Sequence, residues 1–217
     1  VKIWLQVGKD YSVEMLKKFG ITTLVEEGDA NDLNASALAL GGMTKGTTTL
    51  EMASAFSTFP NNGVRYDTSS FTKVVDKQGN VILENKPKEH KVLDEGVAWI
   101  MADMLSSVVN SAAANYAQIS GVFVGGKTGT TDDAFDDWFN GFTPTYSASL
   151  WIGSDYGISL SDHSIIATYM WGNIMRNINK VYDGSRAAKP ANVISYNGEY
   201  YINGTQSGAK SVSDLKS

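Results

Sequence analysis

The stretch GGKTGTTDDAFDDWFNGFTP, residues 125–144, carries most of the information on how this chain folds. Its first part contains only glycine, lysine and threonine, and residues 120–130 are predicted to form a β-strand. Downstream, residues 146–153 place apolar and polar side chains on alternate positions, which is typical of a half-buried strand. These strands are adjacent in sequence, and they form the centre from which the rest of the fold is predicted.

Helices are predicted both before and after these strands in the chain. Thr48-x-x-Glu51 is a capping box that starts a helix. Residues 94–109 predict an amphipathic helix whose apolar side holds Val97, Ile100, Met101, Met104 and Val108. Residues 164–181 predict a closing helix whose apolar side holds Ile166, Met170, Ile174 and Ile178. Between the first two helices, FTKVVDKQGNVILE (71–84) predicts a β-hairpin.

This order of elements predicts an α+β fold, in which an antiparallel β-sheet is flanked by helices. Residues 1–188 are expected to form the C-terminal portion of a single domain. Residues 189–217 show little periodicity and are expected to be a short extension or a frayed end.

Composition excludes several classes of function. The 217 residues carry a formal net charge of −5 and no block of lysine or arginine, which argues against a nucleic-acid surface. Because the chain contains no cysteine and only two histidines, we expect no disulfide, no thiolate nucleophile and no metal site. We expect no cofactor.

The Lys127–Thr130 segment suits acyl transfer on a peptide with a free carboxylate. Lys127 supplies a positive charge, and the hydroxyls of Thr128 and Thr130 can bind the carboxylate. Gly129 lets a ligand backbone lie against the strand. The N–H of Thr130 can face a developing oxyanion. Taken alone, the triplet fits an ordinary strand and turn equally well.

The surrounding sequence resembles a known family. Serine acyl-enzymes of the penicillin-binding group carry Ser-x-x-Lys, Ser-x-Asn and Lys-Thr-Gly in that order. GGKTGTT followed by DDWFNGFTPTYSASLWIGSD closely resembles the second half of the transpeptidase domain of class A penicillin-binding proteins. LGGMTKGTTTLEMASAFSTFPNNGVRY (40–66) and the 71–84 hairpin resemble the same family, and HSIIATYMWGNIMRNI (163–178) matches its closing helix more loosely. The resemblance covers roughly residues 1–195 and implies a β-lactamase-like fold.

The resemblance implies a peptidoglycan D,D-transpeptidase or carboxypeptidase that is inhibited by β-lactams. It gives Lys127 and Thr130 catalytic roles. The substrate-binding residues that it implies are Thr128, Gly129, Thr130, Thr131 and Trp138. A packed aromatic side chain explains Trp138 equally well. For the four aspartates between Thr131 and Trp138, a solvent-exposed acidic turn is favoured over a role in steering an acceptor amine.

The resemblance also implies partners and a location. The substrates are stem peptides that end in D-Ala-D-Ala, and β-lactams compete for the same site. Because the chain opens at VKIWLQVG, it is expected to begin just after Ser-x-Asn, so the fold is incomplete and this piece alone is inactive. The nucleophilic serine, a glycosyltransferase domain and a membrane anchor are expected upstream. That anchor places the protein at the extracytoplasmic face of the bacterial membrane.

Two internal matches to the missing motifs are interpreted as coincidental. Ser70 and Lys73 match Ser-x-x-Lys, but they run into the hairpin, where residues three apart point to opposite faces. Ser195 and Asn197 match Ser-x-Asn, but they follow Lys-Thr-Gly instead of preceding it.

Two alternative functions remain open at this point. A class A β-lactamase requires a deacylating glutamate in a Glu-x-x-Leu-Asn loop, and this chain has Ala30 at that position before Leu33-Asn34. The other alternative is a non-catalytic domain that senses β-lactams or peptidoglycan through the same groove.

Overall fold

The computed structural model describes residues 1–112, 114–160, 165–178 and 184–206. Within these ranges the helices are α1 (Lys2–Val7), α2 (Lys9–Lys18), α3 (Ala35–Leu40), α4 (Thr49–Ser57), α5 (Glu95–Val109) and α6 (Ile166–Ile178). The strands are β1 (Val64–Tyr66), β2 (Lys73–Val75), β3 (Val81–Glu84), β4 (Glu89–Lys91), β5 (Gly125–Thr130), β6 (Asp136–Phe142), β7 (Ser147–Gly153), β8 (Val193–Tyr196) and β9 (Glu199–Ile202).

The central sheet is antiparallel, with the strand order β5-β6-β7. Thr128 lies opposite Phe139, and Phe139 lies opposite Leu150. The remaining strands form three separate antiparallel pairs, β1-β4, β2-β3 and β8-β9. The predicted α+β class with an antiparallel sheet and flanking helices is therefore confirmed. The strand predicted over 120–130 is shorter than expected, because β5 begins only at Gly125.

The two faces of the sheet are covered by different helices. Phe139 and Phe142 stand three apart in β6, so their rings point to opposite faces. On one face Phe139 packs edge-on against Trp171 of α6, with ring centroids 5.1 Å apart. On the other face Phe142 packs against Ala102 and Leu105 of α5. The sheet is therefore the middle layer of the described fold.

The two glycines at the start of β5 are explained by this packing. A Cβ atom at Gly125 would collide with the ring of Phe142, and one at Gly126 would collide with the ring of Phe139. Each aromatic ring therefore lies directly over the backbone of β5. Glycine at these two positions lets the helices and rings hold the strand closely from both sides.

Two local predictions are confirmed. The Thr48 hydroxyl accepts from the Glu51 amide while the Glu51 carboxylate accepts from the Thr48 amide, so the capping box at the start of α4 is complete. The hairpin predicted over residues 71–84 is present as β2 and β3, with Val74 opposite Leu83.

The predicted apolar face of α5 is wrong for three of its five residues. Val97, Met101 and Met104 are 39% to 60% exposed, whereas the small residues Ala98 and Ala102 are buried. Small side chains on the buried face let the helix axis approach β5 closely. The buried face also carries Trp99, Leu105 and Val109, so it lies to one side of the predicted stripe, from which Val108 packs against the core.

The predicted apolar face of α6 is also wrong, because the buried face of this helix is offset from the predicted stripe. The predicted stripe of Ile166, Met170, Ile174 and Ile178 is 38% to 45% exposed. The buried residues of the helix are Ala167, Thr168, Trp171, Gly172 and Met175. Gly172 lies so close to the backbone of Tyr116 that a Cβ atom would collide with its carbonyl. The ends of the helix predicted over 164–181, and His163, lie outside the described residues.

The tail contains regular structure that was not predicted. β8 and β9 form a hairpin whose turn has Asn197 at φ 51° and Gly198 at φ 85°. Positive φ at both central residues is the type I′ pattern that Asn-Gly favours. The hairpin docks on α5, where Tyr200 packs edge-on against Trp99 at 4.9 Å. Residues 193–202 are thus an ordered element, and residues 207–217 lie outside the described part.

Candidate active site

The Lys127–Thr130 segment occupies an edge of the central sheet. β5 pairs with β6 on one side, and no other strand of the described ranges pairs with it on the other. Gly125 and Gly126 are buried, while Lys127 and Thr130 are exposed and Thr128 is half-buried. The buried glycines anchor the strand, and the polar half of the motif emerges at the surface. An edge strand of this kind offers backbone groups to an extended ligand.

The lysine and the first threonine of the motif are in contact. Lys127 Nζ donates to the Thr128 carbonyl oxygen at 2.8 Å and lies 3.4 Å from Thr128 Oγ1. The ammonium group therefore lies along the strand, beside a hydroxyl that can bind the same anion. A carboxylate placed here would meet a positive charge and a hydroxyl donor together.

An open cavity of about 560 Å³ adjoins the end of β5. It is lined by Thr130, Thr131, Asp133, Ala134 and Ser159. Of the predicted site residues, Thr130 and Thr131 thus border the cavity directly. The structure brings Lys127, Thr128 and Gly129 next to it along the same strand.

Trp138 lies behind the motif, outside the lining of this cavity. It is half-buried and directly opposite Gly129, and its own other neighbour across the sheet is Trp151. The two indole rings are 6.4 Å apart. A Cβ atom at Gly129 would approach Trp138 Cβ to 3.3 Å, so the tryptophan already fills the space beside the glycine. The packed-aromatic interpretation of Trp138 accounts for this geometry.

Two aspartates of the acidic turn have structural partners. Asp137 is buried, and its Oδ2 accepts from the Ala167 amide at 3.0 Å, at the start of α6. Asp136 Oδ1 accepts from Trp151 Nε1 at 2.8 Å, and its Oδ2 accepts from Thr131 Oγ1 at 3.0 Å. The contacts with Trp151 and Ala167 join residues 15 and 30 positions apart in sequence, so no local sequence signal reveals them.

One other carboxylate with a shifted pKa, Asp32, is structural. Asp32 is buried and accepts from the Val25 amide, the Thr44 amide and the Thr44 hydroxyl at 2.6–2.8 Å. Burial alone would raise the pKa of Asp32, but these hydrogen bonds outweigh it and lower the pKa. Asp32 therefore holds the loop before α4 together, and the alternative in which this loop resembles a deacylating loop gains no support from it.

The internal matches to Ser-x-x-Lys and Ser-x-Asn lie on other elements. Lys73 begins β2, Ser195 lies in β8, and Asn197 lies in the turn after it. Both hairpins are separate from the sheet that carries β5. Among the described residues, no three His, Cys, Asp or Glu side chains are grouped so that they could hold a metal ion. Within the same residues, no helix has the length and apolar character needed to cross a bilayer.

Comparison with known proteins agrees with the geometry. The family model described as the penicillin-binding protein transpeptidase domain matches residues 1–154. Penicillin-binding protein 1A of Clostridium botulinum is 37% identical over 199 residues, which are 91% of this chain and 24% of that protein. The chain therefore spans about a quarter of the length of this relative. This chain belongs to the penicillin-binding protein transpeptidase family.

Solved structures share the fold. The crystal structure of penicillin-binding protein 1A from Haemophilus influenzae matches with a TM-score of 0.74 and 19% identity, over 93% of this chain and 38% of that chain. The PonA1 protein of Mycobacterium tuberculosis in complex with penicillin V matches with a TM-score of 0.63 and 22% identity, over 88% of this chain and 57% of that chain. The predicted family and its β-lactamase-like transpeptidase fold are thus confirmed.

Proposed function

We propose that this chain is part of a peptidoglycan D,D-transpeptidase that cross-links stem peptides through a serine acyl-enzyme. The observation that carries the proposal is the position of β5 in a chain of this family. Its Lys-Thr-Gly-Thr sequence emerges at a sheet edge and ends at an open cavity. In this proposal residues 1–188 belong to the transpeptidase domain, and residues 189–217 form an extension of it.

Each residue of the motif has a role that its chemistry allows. Lys127 contributes positive charge, and the hydroxyls of Thr128 and Thr130 bind the substrate carboxylate, with Thr131 extending this polar surface. Gly129 leaves room for the peptide backbone to lie along the edge. Trp138 supports this wall from behind, where it packs beside Gly129.

The Thr130 N–H is proposed as an oxyanion donor. In an antiparallel strand, the N–H and C=O of a residue point to the same side, and residues two apart share that side. The Thr128 carbonyl oxygen accepts from the Lys127 ammonium, which supports an outward orientation for the backbone of Thr128. By the same alternation, this contact supports an outward Thr130 N–H.

The nucleophile is proposed to come from another part of the protein. Relatives such as the Clostridium botulinum protein are about four times as long as the region that they share with this chain. We place Ser-x-x-Lys and Ser-x-Asn on an upstream segment, together with the membrane anchor and a glycosyltransferase domain. The intact protein then works at the extracytoplasmic face, and the 217 residues alone are inactive.

The test is covalent labelling of the intact protein with a fluorescent penicillin. Slow release of the label supports the transpeptidase. Rapid hydrolysis would indicate a β-lactamase instead, and absence of labelling would indicate a non-catalytic sensor domain. The PonA1 structure with penicillin V supports the choice of ligand.

The carboxylate-binding role of the threonines is tested by substitution. Thr128→Val and Thr130→Val each remove one hydroxyl that would bind a charged group, a contact worth about 1.5–3 kcal/mol. The rate of labelling is expected to fall about tenfold to a hundredfold for each variant. Thr145→Val, in the exposed turn between β6 and β7, is the matched control and is expected to label normally. Normal labelling of both Thr128→Val and Thr130→Val would contradict the assigned roles.

A further inference from the structure

The carboxylate of Asp136 binds two side chains near the end of β5, those of Thr131 and Trp151. Asp136 Oδ2 accepts from Thr131 Oγ1 at 3.0 Å, and the same hydroxyl oxygen accepts from the Asp136 amide at 2.9 Å. Asp136 Oδ1 accepts from Trp151 Nε1 at 2.8 Å. Both carboxylate oxygens are therefore engaged by side chains, and each link leads toward β5 by a different route.

The first route leads through the turn after β5. Thr131 directly follows the proposed oxyanion donor, Thr130, and its amide donates to the Asp136 carbonyl at 3.3 Å. In the same turn Asp133 and Ala134 have φ values of 58° and 56°. Residues other than glycine adopt this left-handed region only at an energetic cost. The turn therefore needs contacts that hold it, and the reciprocal hydrogen bonds between Thr131 and Asp136 close its base.

The second route leads across the sheet. Trp151 lies directly opposite Trp138, and Trp138 lies directly opposite Gly129. The indole rings are 6.4 Å apart, and Trp138 Cβ fills the space beside Gly129. Asp136 holds the Trp151 indole through a charge-assisted hydrogen bond. It therefore fixes the orientation of the ring that packs against Trp138, which in turn lies beside Gly129.

Gly129 and Thr131 lie on either side of Thr130 in the chain. We infer that Asp136 is a positioning residue that fixes the Thr130 N–H by restraining Gly129 through Trp151 and Thr131 through its hydroxyl. The inference rests on the proposed transpeptidase function. Preorganised donors are the groups that stabilise a developing oxyanion, and a misplacement of about 1 Å can cost about a hundredfold in rate.

The inference predicts how acylation divides into binding and chemistry. An oxyanion donor acts on the transition state, so its displacement lowers the acylation rate constant and leaves the dissociation constant of the non-covalent complex unchanged. Asp136→Ala is expected to lower the acylation rate constant about tenfold to a hundredfold. Asp136→Asn keeps an acceptor for the indole and a polar partner for the hydroxyl, and it is expected to restore most of the rate.

The experiment uses the intact protein and a fluorescent penicillin under single-turnover conditions, at a temperature where all variants are folded. Asp132→Asn is the matched control, because it removes an exposed carboxylate from the same turn. Thr131→Val and Trp151→Phe each break one of the two routes. If Asp136 acts through these residues, Asp136→Ala slows acylation by a smaller factor in the combined Thr131→Val, Trp151→Phe variant than in the wild type.

The outcomes separate the inference from the proposed function. A wild-type protein that does not label refutes the proposed function itself. If the wild type labels and Asp136→Ala acylates at the wild-type rate, only the positioning role is refuted. The positioning role is also refuted if Asp136→Ala changes the dissociation constant alone, or if Asp132→Asn slows acylation equally. A slower acylation rate constant with recovery in Asp136→Asn supports it.

Discussion

Replacing Glu51 with glutamine should loosen the junction between α4 and the chain around Thr22. Glu51 Oε1 accepts from the Thr22 amide at 2.6 Å and from its hydroxyl at 2.7 Å. Glu51 Oε2 accepts from the Thr48 amide at 3.0 Å and lies 3.1 Å from the Thr47 and Thr48 hydroxyls. One carboxylate thus joins Thr22 to a helix start that lies up to 29 residues further along the chain. Glutamine can replace only one of its two oxygens as an acceptor, because its amide nitrogen cannot accept.

The pKa of Glu51 gives the size of the effect. Burial alone would raise the pKa, but the hydrogen bonds from Thr48, Thr22 and Thr47 outweigh it and lower the pKa from 4.5 to about 2. A shift of this size corresponds to an upper bound of about 3.4 kcal/mol. Because the side chain is partly solvated, we expect about 2 kcal/mol, which is about a thirtyfold change in an opening equilibrium.

The sign of the pH dependence follows from the direction of the shift. Since the pKa is lower in the folded state, the stabilisation is complete above pH 4.5 and is lost as the pH falls toward 2. Hydrogen exchange of the Thr22 and Thr48 amides in the intact protein measures the local opening directly. Glu51→Gln should speed their exchange about thirtyfold at pH 7 and only about fourfold at pH 3.

The matched control for this experiment is Glu27→Gln. Glu27 is exposed and lies in the same part of the chain, so its variant makes the same change of charge. It should leave both amides unaffected. An equal acceleration at pH 7 and pH 3 in Glu51→Gln, or none at either pH, would refute the assignment of the stabilisation to the ionised carboxylate.

Two further predictions concern other junctions of the fold. Arg186→Ala removes a guanidinium that lies 3.3 Å from the Trp99 ring centroid and donates to Asp103 Oδ1 at 2.6 Å. Because Trp99 also packs against Tyr200 of β9, the amides of β8 and β9 should exchange about tenfold faster in this variant. Unchanged exchange would show that the hairpin is held by other contacts. Asp32→Asn places an NH₂ group against the Val25 or Thr44 amide, both of which are donors. The free energy of unfolding should therefore fall by about 2–3 kcal/mol, measured by thermal unfolding. An unchanged melting temperature would contradict the structural role of this carboxylate.

Local signals in the sequence predicted the elements that depend on local contacts. The capping box works within four residues, from Thr48 to Glu51, and it was predicted correctly. The 71–84 hairpin depends on its own turn, where the Asp76 carboxylate accepts from the Gln78 and Asn80 amides. The family motif around Lys127 also identified the sheet edge that borders the cavity.

Helix faces could not be predicted because each buried face mixes large and small residues, and contacts with distant parts of the chain select it. In α5 the alanines at 98 and 102 are buried and Met104 is 60% exposed, which reverses what side-chain size suggests. In α6, Gly172 contacts the backbone of Tyr116, a residue 56 positions away that no local periodicity reveals. The Asn197-Gly198 turn is different, because Asn-Gly is itself a local signal for a two-residue hairpin turn.

The contacts behind the candidate site depend on long-range register. Asp136 meets Trp151 only because β6 and β7 pair with Trp138 opposite Trp151. Asp137 reaches the start of α6 across 30 residues. The expectation of a solvent-exposed acidic turn is wrong for Asp137, which is buried, whereas Asp136 is half-buried.

The most direct test of the account is a crystal structure of the intact protein carrying a bound penicillin. The account predicts a ligand that lies along β5, with its carboxylate within hydrogen-bond distance of the Thr128 and Thr130 hydroxyls. Its carbonyl oxygen should lie about 2.7–3.1 Å from the Thr130 nitrogen. A covalent adduct whose carboxylate and carbonyl oxygen make no contact with Lys127–Thr130 would contradict the account.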